Sequence, residues 1–67
     1  MTQQYATEAP FVVSTRAGGI KSTHWTAEGA KAAAKAAKTY RVIHGRHQGV
    51  WRPLACFEAG RAVPVQQ

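Results

Sequence analysis

An alanine-rich stretch between residues 27 and 37 limits how this chain can fold more than any other feature of its sequence. Alanine has the highest helix propensity of all residues, so the stretch predicts an α-helix. Thr26 is a candidate N-cap, because a threonine hydroxyl accepts hydrogen bonds from the free amides of a first turn. Glu28 places negative charge near the positive end of the helix dipole. Because alanine side chains are small, this helix can lie close to a sheet.

Segments rich in β-branched and aromatic residues lie on both sides of the helix and predict strands. The predicted strands cover residues 11–15, 20–25, a segment that begins at 42–43, 50–57 and 61–65. The glycine pair Gly18-Gly19 favours a tight turn between the first two, because glycine adopts positive φ without steric cost. Pro53 withholds a donor from the ladder, which predicts an edge position or a bulge rather than a regular central strand.

The predicted order of elements is β-β-α-β-β-β, an α+β fold with a single helix packed on a small antiparallel sheet. Residues 1–67 are predicted to form a single small basic α+β domain with an ordered core at about residues 10–65. The polar ends, residues 1–8 and 66–67, are expected to be frayed. A domain this small buries only roughly 60% of the surface of its unfolded chain, so we expect no deep substrate cleft.

The aromatic side chains between residues 11 and 57 are predicted to serve mainly as core, because a small domain needs most of its large apolar groups inside. They are Phe11, Trp25, Tyr40, Trp51 and Phe57. Trp25, just before the cap, is predicted to pack on Ala30 as a hydrophobic staple. The alternative use of these rings is base stacking, as in proteins that bind single-stranded nucleic acid.

The balance of charged residues narrows the functions that this protein can have. Nine Lys and Arg residues face three Glu and no Asp, giving a formal net charge of +6 and a pI near 10.3. Such a balance predicts attraction to polyanions or to an acidic protein surface. We expect no enzyme, because no carboxylate pair is present to divide acid and base roles. The absence of a long apolar run predicts a soluble protein of the cytoplasm.

The residue types that bind metal ions are present but badly spaced for a site. His44 and His47 are three residues apart on a predicted strand, so their side chains point to opposite faces. Cys56 is the single cysteine of the chain and cannot close an intramolecular disulfide. We therefore predict no metal site and no cofactor, and a reducing compartment fits the cysteine content.

Lysines at helical spacing are the most specific functional signal in the sequence. If the helix continues to Tyr40, then Lys31, Lys35 and Lys38 fall within a stripe only about 60° wide. The small residues and Tyr40 would then face the sheet, and the ammonium groups would face solvent. The structural alternative is an ordinary solvated face.

Further cations come from the predicted strands and turns and would extend this stripe into a continuous basic surface. The residues predicted to bind a partner or nucleic acid are Lys31, Lys35, Lys38, Arg41, Lys21, Arg16, Arg46 and Arg52. If half of the strand and turn cations converge with the helix, the surface can grip phosphate oxygens or fill a site that normally holds nucleic acid.

Three short runs give the chain a resemblance to a known family. Residues 19–31, the run Gln48-Gly49-Val50-Trp51 and residues 58–61 resemble the small phage-encoded anti-CRISPR proteins that inhibit type I-F systems. The resemblance implies an inhibitor that binds the backbone subunits of a CRISPR surveillance complex with its guide RNA and blocks hybridisation of target DNA. It also implies non-specific DNA binding and a place in the cytoplasm of an infected bacterial host. Lys31 and Lys35 match the helix of that family.

The sequence is therefore consistent with two candidate functions. The first is an inhibitor that occludes a nucleic-acid-binding machine, carried by the helix lysines. The second is a free-standing small basic nucleic-acid-binding module with an accessory or regulatory role. The sequence departs from the family pattern at Pro53 and in the alanines of the helix, so the CRISPR subtype and the contacts stay open.

Overall fold

The computed structural model describes residues 7–65, which form one helix and a five-stranded antiparallel sheet. The elements are β1 (Phe11–Ser14), β2 (Ile20–His24), α1 (Ala27–Ala36), β3 (Arg41–His47), β4 (Val50–Glu58) and β5 (Arg61–Val63). The strands lie in the order β2-β1-β3-β4-β5. The predicted α+β class and the order β-β-α-β-β-β are confirmed. Within residues 7–65, no helix is long and apolar enough to cross a membrane.

Helix α1 begins as the sequence predicts. The Thr26 hydroxyl accepts a hydrogen bond from the Gly29 amide at 3.1 Å, and Thr26 has the extended backbone of an N-cap residue. Glu28 lies in the first turn, where the partial positive charge of the helix end favours a carboxylate.

The predicted extension of the helix to Tyr40 is wrong. The helix ends at Ala36, and Ala37 takes an extended conformation with φ −77° and ψ 145°. The chain has to leave the helix here, because Arg41 already pairs with Phe57 in the sheet. Lys38 therefore does not share a helix face with Lys31 and Lys35, and Tyr40 does not lie on the sheet-facing side of the helix.

One face of the sheet packs against the helix through small alanines. Ala30 and Ala34 are fully buried against Val13, Ile43 and Phe57, which come from three neighbouring strands. Burial of each large apolar side chain stabilises the fold by about 1.5–3 kcal/mol. The predicted close approach of an alanine face to the sheet is confirmed.

The opposite face of the sheet carries a second, smaller core. Val12 is fully buried and Trp51 is nearly so, and the two form a cluster of their own. The Arg46 guanidinium lies 5.5 Å from the centroid of the Trp51 ring and donates to the carbonyls of Thr7 and Glu8. This anchors residues 7–8, which the sequence predicted to be frayed. The other predicted frayed ends, 1–6 and 66–67, lie outside the described residues.

The expectation that the aromatic residues serve the core holds for Trp51 and Phe57 but is wrong for Trp25. The Trp25 side chain is 70% exposed, so most of the indole does not pack as a staple on Ala30. Its neighbour His24 occupies the space beside the first turn instead, since the His24 imidazole lies next to Gly29.

Pro53 sits at a β-bulge in β4, which confirms that part of the prediction. The register between β3 and β4 shifts after Ile43, so that Ala55 and Pro53 oppose successive residues of β3 and Leu54 is the extra residue. The Leu54 side chain lies over Gly45, where a Cβ atom would collide with it. Strand β5 pairs with β4 only at the far end, beyond the proline, so the missing amide interrupts no ladder there.

Two-residue type I′ turns close both hairpins after the helix, because both central residues have positive φ. The values are 52° and 78° for Gln48 and Gly49, and 53° and 80° for Ala59 and Gly60. Gly60 has a second reason to be glycine, since a Cβ atom would lie 3.0 Å from the Lys35 carbonyl oxygen at the helix end. Ala59, in contrast, carries a side chain in the left-handed region, which costs about 1–2 kcal/mol.

Replacing Ala59 by asparagine is expected to stabilise the protein by about 0.5–1 kcal/mol, because asparagine tolerates positive φ and favours this turn type. Chemical denaturation followed by circular dichroism measures the change. Ala62→Asn, on the neighbouring strand, is the matched control and should bring no gain. Gly60→Ala should destabilise the fold, and a stabilised Gly60→Ala variant would contradict this account of the turn.

Candidate functional site

A shallow basic cleft lies at one end of the sheet, where three loops meet. It has a volume of about 630 Å³ and is formed by the β1–β2 turn, the segment between α1 and β3, and the end of β4. Four basic residues line it, namely Arg16, Lys21, Lys38 and Arg41, together with a single carboxylate from Glu58. The remaining lining comes from Thr15, Ala17, Thr39 and Tyr40.

Hydrogen bonds within the β1–β2 turn fix the backbone that carries Arg16. The Thr15 amide donates to the Gly19 carbonyl at 2.9 Å, and the Gly18 amide donates to the Thr15 carbonyl at 3.0 Å. The Thr15 hydroxyl also accepts from the Gly19 amide at 3.1 Å. Arg16 lies within this fixed turn, and Lys21 lies just after it as the second residue of β2.

The other two cations come from the residues that follow the helix, Lys38 in the loop and Arg41 at the start of β3. Since α1 stops at Ala36, Lys38 falls in the loop that leads into β3 and lines the cleft. The Arg41 guanidinium folds back and donates to the Thr39 hydroxyl at 2.7 Å and to the Tyr40 carbonyl at 2.8 Å. These bonds fix the loop while leaving the positive charge of Arg41 without a carboxylate partner among residues 7–65.

Arg16 is held in a defined position by two neighbours. Its guanidinium carbon lies 4.1 Å from the centroid of the Tyr40 ring, a cation–π contact, and it forms an ion pair with Glu58 at 3.3 Å. The side chains of Arg16 and Glu58 are 66% and 55% exposed, so solvent screens the pair and it adds little to stability. Its effect is to orient the guanidinium plane.

Tyr40 links the cleft to the interior. Its hydroxyl donates to the sulfur of the buried Cys56 at 3.2 Å. This hydrogen bond is the largest cause of a raised pKa for Tyr40, and burial of the group acts in the same direction. The phenol is therefore neutral at physiological pH, and its ring offers Arg16 an uncharged face.

The structure brings together four of the eight residues predicted to bind a partner or nucleic acid. Arg16, Lys21, Lys38 and Arg41 share the cleft, although Lys38 reaches it from a loop and not from a helix face.

The other four predicted residues lie outside the lining of the cleft. Lys31 and Lys35 are solvent-exposed on α1, one helical turn apart. Arg46 is occupied by Trp51 and by the carbonyls near residue 8, at the other end of the sheet. Arg52 is exposed on β4, opposite Gly45.

Sequence reasoning missed the parts of the cleft that are not basic. The helical spacing predicts Tyr40 on the sheet-facing side of a longer helix, and no pattern in the sequence indicates a site role for Glu58 or Thr39. A signal for the turn was present in the glycine pair after Arg16, but the contact between Arg16 and Tyr40 joins residues 24 positions apart and leaves no local pattern.

The described residues do not form a metal centre of the usual composition. Within residues 7–65, no group of three or more His, Cys, Asp or Glu side chains is placed to hold an ion. His44 and His47 lie three positions apart on β3, on alternate faces of the sheet. Partial burial lowers the pKa of His44 below its ordinary value.

No protein-family model, curated protein or solved structure matches this chain.

The raised pKa of Tyr40 predicts a loss of stability at alkaline pH. Below pH 10.0, the ordinary pKa of tyrosine, its contribution is fully present. As the pH rises above that value, the unfolded chain ionises Tyr40 more readily than the folded one, so the free energy of unfolding falls until the folded pKa is passed. The difference in stability between the wild type and Tyr40→Phe should therefore shrink between neutral and strongly alkaline pH.

Denaturant titrations of both proteins across this range measure that difference. Titrations of groups that do not contact Tyr40 occur in both proteins and cancel in this difference. A constant difference would contradict the hydrogen bond from Tyr40 to Cys56.

Proposed function

We propose that this protein binds the phosphate backbone of nucleic acid through the basic cleft. The observation that carries the proposal is the meeting of Arg16, Lys21, Lys38 and Arg41 around one shallow surface with a single carboxylate. Phosphate contacts by lysine and arginine release condensed counterions, and this release drives non-specific nucleic-acid binding. An open surface also suits a polymer better than a small molecule, which is usually enclosed.

The small number of ion pairs at the cleft supports this proposal. The ion pair between Arg16 and Glu58 is the only one among residues 7–65. Lys21 and Lys38 are both exposed, so their ammonium groups keep full hydration until a ligand replaces the water. The ammonium groups of Lys21 and Lys38 form no ion pair among residues 7–65, so a ligand does not have to displace a carboxylate from them.

The proposal predicts the length of nucleic acid that the protein spans and the salt dependence of its affinity. The molecule measures 29 × 23 × 17 Å, so its longest side spans roughly nine base pairs of duplex at 3.4 Å each. Contacts to about four phosphates predict a slope of roughly −3 in a plot of log affinity against log salt concentration for a single strand.

Charge reversal at two places tests which surface binds. Lys21→Glu/Lys38→Glu removes two cleft cations, and Lys31→Glu/Lys35→Glu makes the same change in net charge on the helix. We expect the cleft variant to lose roughly a hundred-fold in affinity for a short oligonucleotide, since it loses two phosphate contacts and adds repulsion, and the helix variant to lose much less.

Fluorescence anisotropy at several salt concentrations measures both losses, and thermal melts check folding. Equal losses would mean that only net charge matters. A larger loss in the helix variant would move the binding surface to α1.

A second candidate, inhibition of a CRISPR surveillance complex in an infected bacterial host, draws on the helix. Lys31 and Lys35 are exposed, stand one turn apart and form no ion pair among residues 7–65. They are the lysines that match the helix of the anti-CRISPR proteins described above. In this candidate function the protein contacts backbone subunits and guide phosphates, and it prevents the target strand from pairing.

A pull-down with a type I surveillance complex, followed by a target-DNA binding assay, tests the second candidate. Lys31→Glu/Lys35→Glu should abolish inhibition while the fold stays intact, because both side chains are exposed. Lys21→Glu/Lys38→Glu is the matched control and should keep most of the inhibition. Failure of the wild type to bind the complex would remove this candidate and leave the cleft proposal standing.

A further inference from the structure

The guanidinium of Arg16 differs from the other cations of the cleft in having one face already covered. The Tyr40 ring lies 4.1 Å away on one side, and yet 66% of the Arg16 side chain remains exposed. A planar cation that rests on an aromatic ring and faces solvent on its other side is half of a stack. The ordinary role of a phosphate contact does not require this arrangement, because a lysine performs it as a point charge.

We propose that Arg16 is a stacking platform for an unpaired base, and that the cleft therefore prefers single-stranded nucleic acid. The proposal rests on the phosphate-binding function of the cleft. Guanidinium planes and aromatic rings are the groups on which proteins stack unpaired bases. The base, the Arg16 guanidinium and the Tyr40 ring would form three successive layers.

Preorganisation supports this role. A free arginine side chain loses rotamer freedom when it binds, and that loss weakens affinity. Here the ion pair with Glu58 at 3.3 Å and the contact with Tyr40 hold the plane before any ligand arrives. The hydrogen bond from Tyr40 to the Cys56 sulfur in turn fixes the ring beneath it.

The surrounding cations place phosphates within reach of a stacked base. Lys21 follows the same turn as Arg16, and Lys38 lies next but one to Tyr40 along the chain. All three cations line one cleft. A base on Arg16 thus brings its flanking phosphates among Lys21, Lys38 and Arg41. A base inside a duplex already stacks on its neighbours and cannot offer its face, so only an unpaired base uses both parts of the site.

The test compares a short oligothymidylate of about twelve nucleotides with an abasic strand of the same length. Both carry the same phosphates, and only one carries bases. The wild type should bind the thymidylate roughly five- to ten-fold more tightly, as expected for one stacked base. In Arg16→Lys, which keeps the charge and loses the plane, this ratio should fall to about one.

Arg61→Lys is the matched control, because Arg61 is an exposed arginine outside the cleft, and it should leave the ratio as in the wild type. A wild type that binds both strands equally overturns the stacking proposal and leaves phosphate binding intact. A ratio that survives in Arg16→Lys, or that also falls in Arg61→Lys, overturns the assignment to Arg16. A wild type that binds neither strand at low salt overturns both the stacking and the phosphate-binding proposals.

Discussion

The contact between two helix alanines and three strands is the constraint on which the rest of the structure depends. Ala30 and Ala34 are fully buried against Val13, Ile43 and Phe57, so the helix lies close to the sheet and cannot slide without losing this contact. The same closeness brings the Lys35 carbonyl to within 3.0 Å of a Cβ position at Gly60. The helix end is therefore fixed by the β4–β5 turn, and this decides where the loop with Lys38 lies.

On the face of the sheet away from the helix, arginines cover aromatic rings. Arg46 lies over Trp51 and Arg16 lies over Tyr40, at opposite ends of the sheet. The single helix packs on the other face of the sheet, so it does not cover these rings. The two arginines differ in what remains for a ligand. Arg46 donates to two backbone carbonyls, whereas Arg16 pairs with the exposed carboxylate of Glu58 and keeps 66% of its side chain exposed.

The parts of the fold that follow from local chemistry could be predicted from sequence. The Thr26 cap, the bulge at Pro53 and the turn at Gly18-Gly19 each depend on residues near one another in the chain, and the structure confirms them. The end of the helix could not be predicted in this way. Helix propensity favours continuation through Ala37, but pairing of Arg41 with Phe57 requires extended backbone, and the tertiary contact wins.

The same limit explains the candidate site. Four of the predicted cations converge, yet the grouping differs from the predicted lysine stripe because Lys38 joins a loop and not a helix face. The aromatic ring and the carboxylate of the cleft come from Tyr40 and Glu58. These residues contact Arg16 although they are 24 and 42 positions away from it in the sequence. Charge composition can predict that a polyanion is attracted, because the net charge acts at long range. It cannot predict which cation lies over an aromatic ring, because the contact between Arg16 and Tyr40 is formed only when distant parts of the chain fold together.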